Sequence, residues 1–221
     1  DRKFLDREYE KDPVSFRAEY EANFRTDLES YISPEVVEAV VVKGRTYLPH
    51  ESHRPHYAFV DTAGGSGGNS LTVAIARPEQ NRSVIVKVAE WRSHFDPFEA
   101  AKTMQAILRE YKVSRVRGDR FSGGTWKSIF RELGITYEYE EKTKSDIYHD
   151  FLPLLNGRRV ELLDHQQTIN QLHALERSTS KLGRDTIARG RGGLDDLINA
   201  TAGVALMAQR PKMLEGWTPY Q

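Results

Sequence analysis

The sequence predicts an α/β fold, a mixed β-sheet flanked by helices and preceded by an N-terminal helical extension, and three observations carry this. Apolar runs rich in β-branched residues recur at 57–60, 71–76 and 84–89, separated by Gly, Pro and Asn. Beyond them, helical periods alternate with short strands, the order expected of a mixed sheet carrying helices. The chain has 221 residues, 38% of them hydrophobic, with 9 Phe, 10 Tyr and 3 Trp. It is therefore long enough to bury a core and too apolar for a disordered polymer.

Taken in order, Asp12-Pro13 supplies an N-cap with proline at N1, and Phe16, Tyr20 and Phe24 share one helix face. Ser33-Pro34 opens a second helix in the same way. Residues 43–56, with Gly44, Pro49, Pro55 and three histidines, keep no period and read as an irregular connector. The boundary falls there, between an extension over 1–45 and a body over 46–209. The three apolar runs, joined by short links, predict an antiparallel meander. Asp96-Pro97 opens a helix in which Phe98, Ala101, Met104 or Gln105, Ile107 or Leu108, and Tyr111 follow the 3.6 period. A strand at 113–117, a helix at 125–133, a strand at 135–139 and helices at 144–155, 165–176 and 194–209 complete the body. Residues 210–221 are expected to be a mobile C-terminal tail.

Composition removes several classes of function. No run approaches the ~20 apolar residues of a membrane span, and no basic segment precedes an apolar one at the start. No membrane role is expected. With 0 Cys there is no disulfide framework or thiolate metal site, which fits a reducing compartment. The chain opens on Asp1 rather than Met and is expected to be a fragment or a processed product. Basic and acidic residues balance at 32 each, with a pI near 7.2, unlike a dedicated nucleic-acid binder. The balance is uneven along the chain: residues 1–40 hold 6 basic and 11 acidic side chains. The stretch 177–191 carries Arg177, Lys181, Arg184, Arg189 and Arg191 against Asp185 alone, and reads as a solvated loop able to meet a phosphate backbone.

The chemistry is expected where carboxylates meet element ends. Asp61 follows the first apolar strand and precedes the Gly64–Gly68 loop, Asp119 follows the 113–117 strand through one glycine, and Asp195-Asp196 open the last helix. If the first and fourth strands lie side by side, these acids converge. Converging carboxylates without a neutralising partner suit a hard cation such as Mg²⁺ or Mn²⁺. Two such ions about 4 Å apart activate a water and stabilise the leaving oxygen of a phosphodiester. Each acid also suits a purely local role, Asp61 and Asp119 as turn formers, Asp195 and Asp196 as N-terminal helix acids. The Gly64–Gly68 loop lacks the Gly-Lys-Ser/Thr ending of a P-loop, and no Walker A pattern occurs. His50, His53 and His56 stand beside Glu51, but Pro49 and Pro55 forbid a helix that would align them on a metal.

Four segments in order, Phe59-Val60-Asp61-Thr62-Ala63-Gly64-Gly65, Arg117-Gly118-Asp119-Arg120-Phe121-Ser122-Gly123-Gly124, Lys142-Thr143-Lys144-Ser145-Asp146-Ile147-Tyr148 and Gly192-Gly193-Leu194-Asp195-Asp196-Leu197-Ile198-Asn199-Ala200, resemble the C-terminal nuclease domain of the tailed-phage terminase large subunit. The likeness extends to Trp91, to the passage over 156–162, and to the N-terminal piece from Asp12 to Phe24. It departs at Leu194, where relatives often carry His, and near Asn69, where they often carry Asp. The resemblance implies a ribonuclease H-like fold of the resolvase and integrase type. It also implies an endonuclease that cuts concatemeric double-stranded viral DNA during genome packaging, using two divalent ions, Mg²⁺ or Mn²⁺. Asp61 and Asp119 would be metal ligands, joined by Asp195, Asp196 or both. Arg120, Lys142, Lys144, Arg177, Lys181, Arg184, Arg189 and Arg191 would hold phosphates, giving little sequence specificity. Further implied partners are the terminase ATPase domain, the small terminase subunit and the portal protein, in the cytoplasm of an infected bacterium. A Holliday-junction resolvase or transposase-like nuclease on the same fold, or a non-catalytic DNA-binding or assembly module, are the alternatives.

Overall fold

The computed structural model describes residues 28–63, 68–119, 123–179, 185–190 and 193–209. The expected helix at 12–24, Gly64 to Gly67, Arg120, Lys181, Arg184, Arg191, Gly192 and the 210–221 tail lie outside the described residues.

Ten strands and six helices are described. In chain order they are β1 (Leu28–Ser30), α1 (Pro34–Val40), β2 (Val41–Val42), β3 (Tyr57–Asp61), β4 (Leu71–Glu79), β5 (Arg82–Trp91), α2 (Pro97–Glu110), β6 (Arg115–Gly118), α3 (Gly123–Glu132), β7 (Thr136–Tyr139), α4 (Lys144–Asn156), β8 (Val160–Leu163), α5 (Gln166–His173), β9 (Leu175–Thr179), β10 (Asp185–Arg189) and α6 (Asp196–Gln209). Seven strands form one mixed sheet in the order β2-β8-β5-β4-β3-β6-β7, and β1-β9-β10 form a second, antiparallel sheet. The meander expected from the three apolar runs is β3-β4-β5, antiparallel throughout. β6 lies beside β3 and parallel to it, with Val60 opposite Gly118.

Strand alternation divides the sheet between two cores. Ala58 and Val60 of β3, Leu71, Val73 and Ile75 of β4, and Val116 of β6 pack under α2 and α3 with Met104, Leu108, Trp126 and Phe130. Tyr57 and Phe59, with Ala74 and Ala76, pack on the other face under α4 and α6. α6 is apolar on all sides and almost wholly buried, as a helix laid over a sheet centre and covered by neighbours must be. Its approach to β3 is very close, because a Cβ at Gly203 would stand 2.5 Å from the Phe59 ring.

Of the caps read from the sequence, Asp96 is present as expected, whereas Ser33 precedes α1 without a side-chain cap bond. Asp96 accepts from Glu99 N–H with Pro97 behind it, and Thr143 and Asp146 form a capping box that fixes Lys144 as the first residue of α4. The connector at 43–56 has neither helix nor strand. The segment expected as a helical extension contributes over residues 28–42 to the body: β1 pairs with β9, β2 with β8, and Val37 and Val40 join the core. Two elements correct the sequence reading. The helix expected over 165–176 ends at His173, and the described residues of the stretch expected as a loop are strands, β9 paired antiparallel with β10. Only Leu175 and Ile187 anchor that pair in the core, too few apolar positions to betray a strand period among charged neighbours.

Candidate active site

The site is assembled at the edge where β3 and β6 end. Tyr57, Phe59 and Asp61 share one face of β3 by strand period, and that face looks towards α4 and α6. Asp61 is 3% exposed. Its Oδ2 accepts from Lys144 Nζ at 2.7 Å and from Asn199 Nδ2 at 2.9 Å. Asp195, just ahead of α6, is also buried. Its Oδ1 lies 3.4 Å from the same ammonium and its Oδ2 accepts from the Tyr148 hydroxyl at 3.1 Å. Lys144 and Tyr148 are i, i+4 on α4, and Asp195 stands just before α6, four residues ahead of Asn199, so the starts of the two helices meet at Asp61.

Asp196 is close by but faces differently. Its Oδ2 accepts from Ser70 N–H at 2.8 Å, and its carbonyl accepts from Thr72 Oγ1 at 2.9 Å. Both contacts pin the start of α6 to the start of β4, directly beside Asp61, whose strand partner is Thr72. The adjacent acids thus divide: Asp195 faces Asp61 across Lys144, and Asp196 fastens helix to sheet. Asp119 follows β6, and its carbonyl accepts from the Tyr137 hydroxyl at 2.8 Å. Gly118 before it allows β6 to sit this close, since a Cβ there would lie 2.5 Å from both Tyr137 Oη and Val60 O. Asp119, Glu140, Lys142, Lys144 and Asn199 line a cavity of about 250 Å³ floored by Phe59 and Ile147. A larger cavity lies along α3 and β7, whereas Lys144 and Asn199, the partners of Asp61, line the smaller one.

Burial pushes the Asp61 carboxyl up to about 6, although Lys144 and Asn199 pull the other way. Burial alone would lower Lys144, but Asp61 and Asp195 outweigh it and hold the ammonium above its ordinary range. The pair is one-sided: Asp61 loses more hydration than one ammonium returns. Burial likewise raises Asp196 and, with Asp195 beside it, takes the Tyr148 phenol well above 10, so Tyr148 stays a proton donor.

The donor set suits a hard cation. It consists of carboxylate oxygens, and Asn199 Oδ1 is buried without a hydrogen-bond partner beside Asp61. One cation, the Lys144 ammonium, already bridges Asp61 and Asp195. Among the described residues no three His, Asp or Glu side chains form a ready-made metal cage. His50 and His56 stack with ring centroids 5.0 Å apart and His53 meets Glu51, an arrangement that makes no metal cage.

Of the expected phosphate contacts, Lys142 pairs with Asp150, Arg177 pairs with Asp185 between β9 and β10, and Arg189 is exposed at the end of β10. Lys144 is at the carboxylates. Sequence reasoning missed Tyr148, Asn199 and Ser70; the first two carry a signal, standing one helical turn beyond Lys144 and Asp195.

Solved structures resemble this arrangement over most of the chain. The large terminase nuclease from thermophilic phage G20c superposes with a TM-score of 0.67 at 12% identity, covering 80% of this chain and 97% of that one. The chain has the fold of a phage large terminase nuclease. The same G20c nuclease is known with bound magnesium, at the same TM-score. The large terminase nuclease domain of Thermus phage P74-26 gives 0.59 at 16% identity over 83% of this chain and 97% of that one. Against the whole HK97 bacteriophage large terminase the score is 0.63 at 13% identity over 82% of this chain, which spans only 44% of the HK97 protein. No family model and no curated protein matches the sequence.

Proposed function

We propose that this chain is a metal-dependent endonuclease that cuts double-stranded concatemeric viral DNA during phage genome packaging, in the cytoplasm of the infected bacterium. The observation that carries the reading is a buried pair of carboxylates bridged by one ammonium, at the edge where β3 and β6 end side by side. The terminase nuclease fold around it, and magnesium- and cobalt-bound forms of the G20c nuclease, support the same reading.

Asp61, Asp119 and Asp195 would hold two divalent ions, Mg²⁺ or Mn²⁺, and the buried, unpartnered Oδ1 of Asn199 would be open to one of them. When bound, such ions supply an activated water and neutralise the leaving 3′-oxygen of a phosphodiester. The residues of the chain do the rest. Asp196 fixes the start of α6 through Ser70 and Thr72, and Tyr148 keeps Asp195 aimed by donating to Oδ2. Lys144 moves from the carboxylates into the adjoining cavity, beside Lys142, where it takes a phosphate oxygen. Contacts of this kind grip the backbone without reading bases, so cutting has little sequence specificity. The ATPase domain, the small terminase subunit and the portal protein would supply the remaining grip on DNA.

The test is nicking and linearisation of supercoiled plasmid with Mg²⁺, Mn²⁺ or EDTA. Cutting should need the metal, vanish in Asp61→Asn, Asp119→Asn and Asp195→Asn, and survive in reduced measure in Asp196→Asn. Metal-independent cutting, or cutting untouched by the first three changes, would refute the proposal.

A further inference from the structure

Two cations on α3 form no ion pair with an acid among the described residues. Lys127 and Arg131 are exposed and, at i and i+4, share one face of the helix about 6 Å apart along its axis. The nearby acids of β7 are engaged elsewhere. Glu138 pairs with Arg115 and Arg117, and Glu140, next after the strand, with Arg117. Strand alternation puts Glu138 on the face opposite Tyr137, whose ring stacks on Phe130 of α3. Lys127 Nζ stands 5.0 Å over the ring of Tyr139, itself 37% exposed. That contact holds the ammonium in place without neutralising it.

Both cations line a groove of about 580 Å³ between α3 and β7, together with Gly124, Ser128, Thr136 and Tyr137. One end of the groove abuts the carboxylate edge. α3 begins just beyond Asp119, and β7 ends at Tyr139, next to Glu140 in the wall of the site cavity. From there the groove runs back along the outermost strand of the sheet.

We infer that this groove is a track for the phosphate backbone of duplex DNA leading to the carboxylate site. Lys127 and Arg131 each take a phosphate, and the Ser128 and Thr136 hydroxyls donate to the same strand. The inference rests on the proposed nuclease reading for the identity of the polyanion.

The experiment is equilibrium binding of a labelled duplex to the full 221-residue chain in EDTA across a salt series. Wild type is compared with Lys127→Gln/Arg131→Gln and with a charge-matched control, Lys112→Gln/Arg158→Gln. Lys112 and Arg158 are exposed and precede β6 and β8, at the sheet end opposite the site. Each lost phosphate contact removes about 0.9 from the slope of log affinity against log salt, so the groove variant should lose about 1.8 and the control almost nothing. Matched melting temperatures check that all three are folded. Equal slopes in the two variants, or no duplex binding by wild type, would overturn the inference. Plasmid cutting is measured alongside. Metal-dependent cutting with equal slopes would sink the groove and leave the nuclease standing. A lowered slope without cutting would do the reverse.

Discussion

Replacing Asp61 with Asn should make the metal-free protein more stable. Asp61 is 3% exposed, and its carboxyl is pushed up to about 6 from an ordinary value of 3.8, with the attraction of Lys144 already counted in that balance. A rise of about two units means that the ionised form costs the fold about 3 kcal/mol relative to a neutral group. Asn keeps an oxygen for Lys144 and Asn199 and removes the charge. The gain above pH 6 is therefore up to about 3 kcal/mol, or roughly 6–12 °C in melting temperature for a chain of this size. The sign runs with pH. Between about 4 and 6 folded Asp61 holds its proton more than the unfolded chain does, so this group's contribution is favourable in acid and lost as pH rises through 6. His56 has the opposite trend: burial lowers it to about 4, so its contribution is lost as pH falls below 6.5. The difference between wild type and variant isolates Asp61 from His56. Denaturant unfolding in EDTA should show that difference at its largest above pH 6 and near zero by pH 4. A variant less stable than wild type near pH 7.5, or a difference independent of pH, would refute the reasoning.

Lys144→Ala removes the bridging cation and should destabilise the metal-free fold by about 1–2 kcal/mol, since Asp61 and Asp195 then face each other without compensation. The thermal shift on adding Mg²⁺ should exceed that of wild type, because no ammonium competes; an equal or smaller shift would count against Lys144 as the resident of the cation position. Gly203→Ala should cost about 1–3 kcal/mol, because the new methyl meets the Phe59 ring at 2.5 Å. The same shift of α6 moves Asp195 and Asn199 away from Asp61, so melting temperature and metal-induced stabilisation should fall together.

The legible part of the fold was the part whose sequence had a period or an apolar run. The apolar runs that became β3, β4 and the first half of β5 are buried on both faces and announce themselves as runs rather than by a period. Asp61 and Asp119 stood out because each closes a strand, and the pairing of β3 with β6 brought them to one edge. β1 and β2, at 3 and 2 residues, are too short to show any period, and they exist because β9 and β8 offer them an edge. Lys144 was legible as a cation but not in its place. One capping box decides that α4 starts there, and only the packing of α4 on α6 turns its side chain to Asp61. The split between Asp195 and Asp196 was equally out of reach, since it depends on where Ser70 N–H points.

The chain separations within the site have a consequence for the making of the protein. Asp61 meets Asn199 across 138 residues, Ser70 meets Asp196 across 126, and Lys144 lies 83 residues from Asp61. No local piece holds more than a fragment of the constellation, and such distant pairings form late in folding. A chain emerging from the ribosome would carry Asp61 and Asp119 long before α6 arrives to set Asp195 and Asn199 opposite them. The constellation is therefore closed by α6, and the order of synthesis alone keeps its two halves apart until that helix has been made.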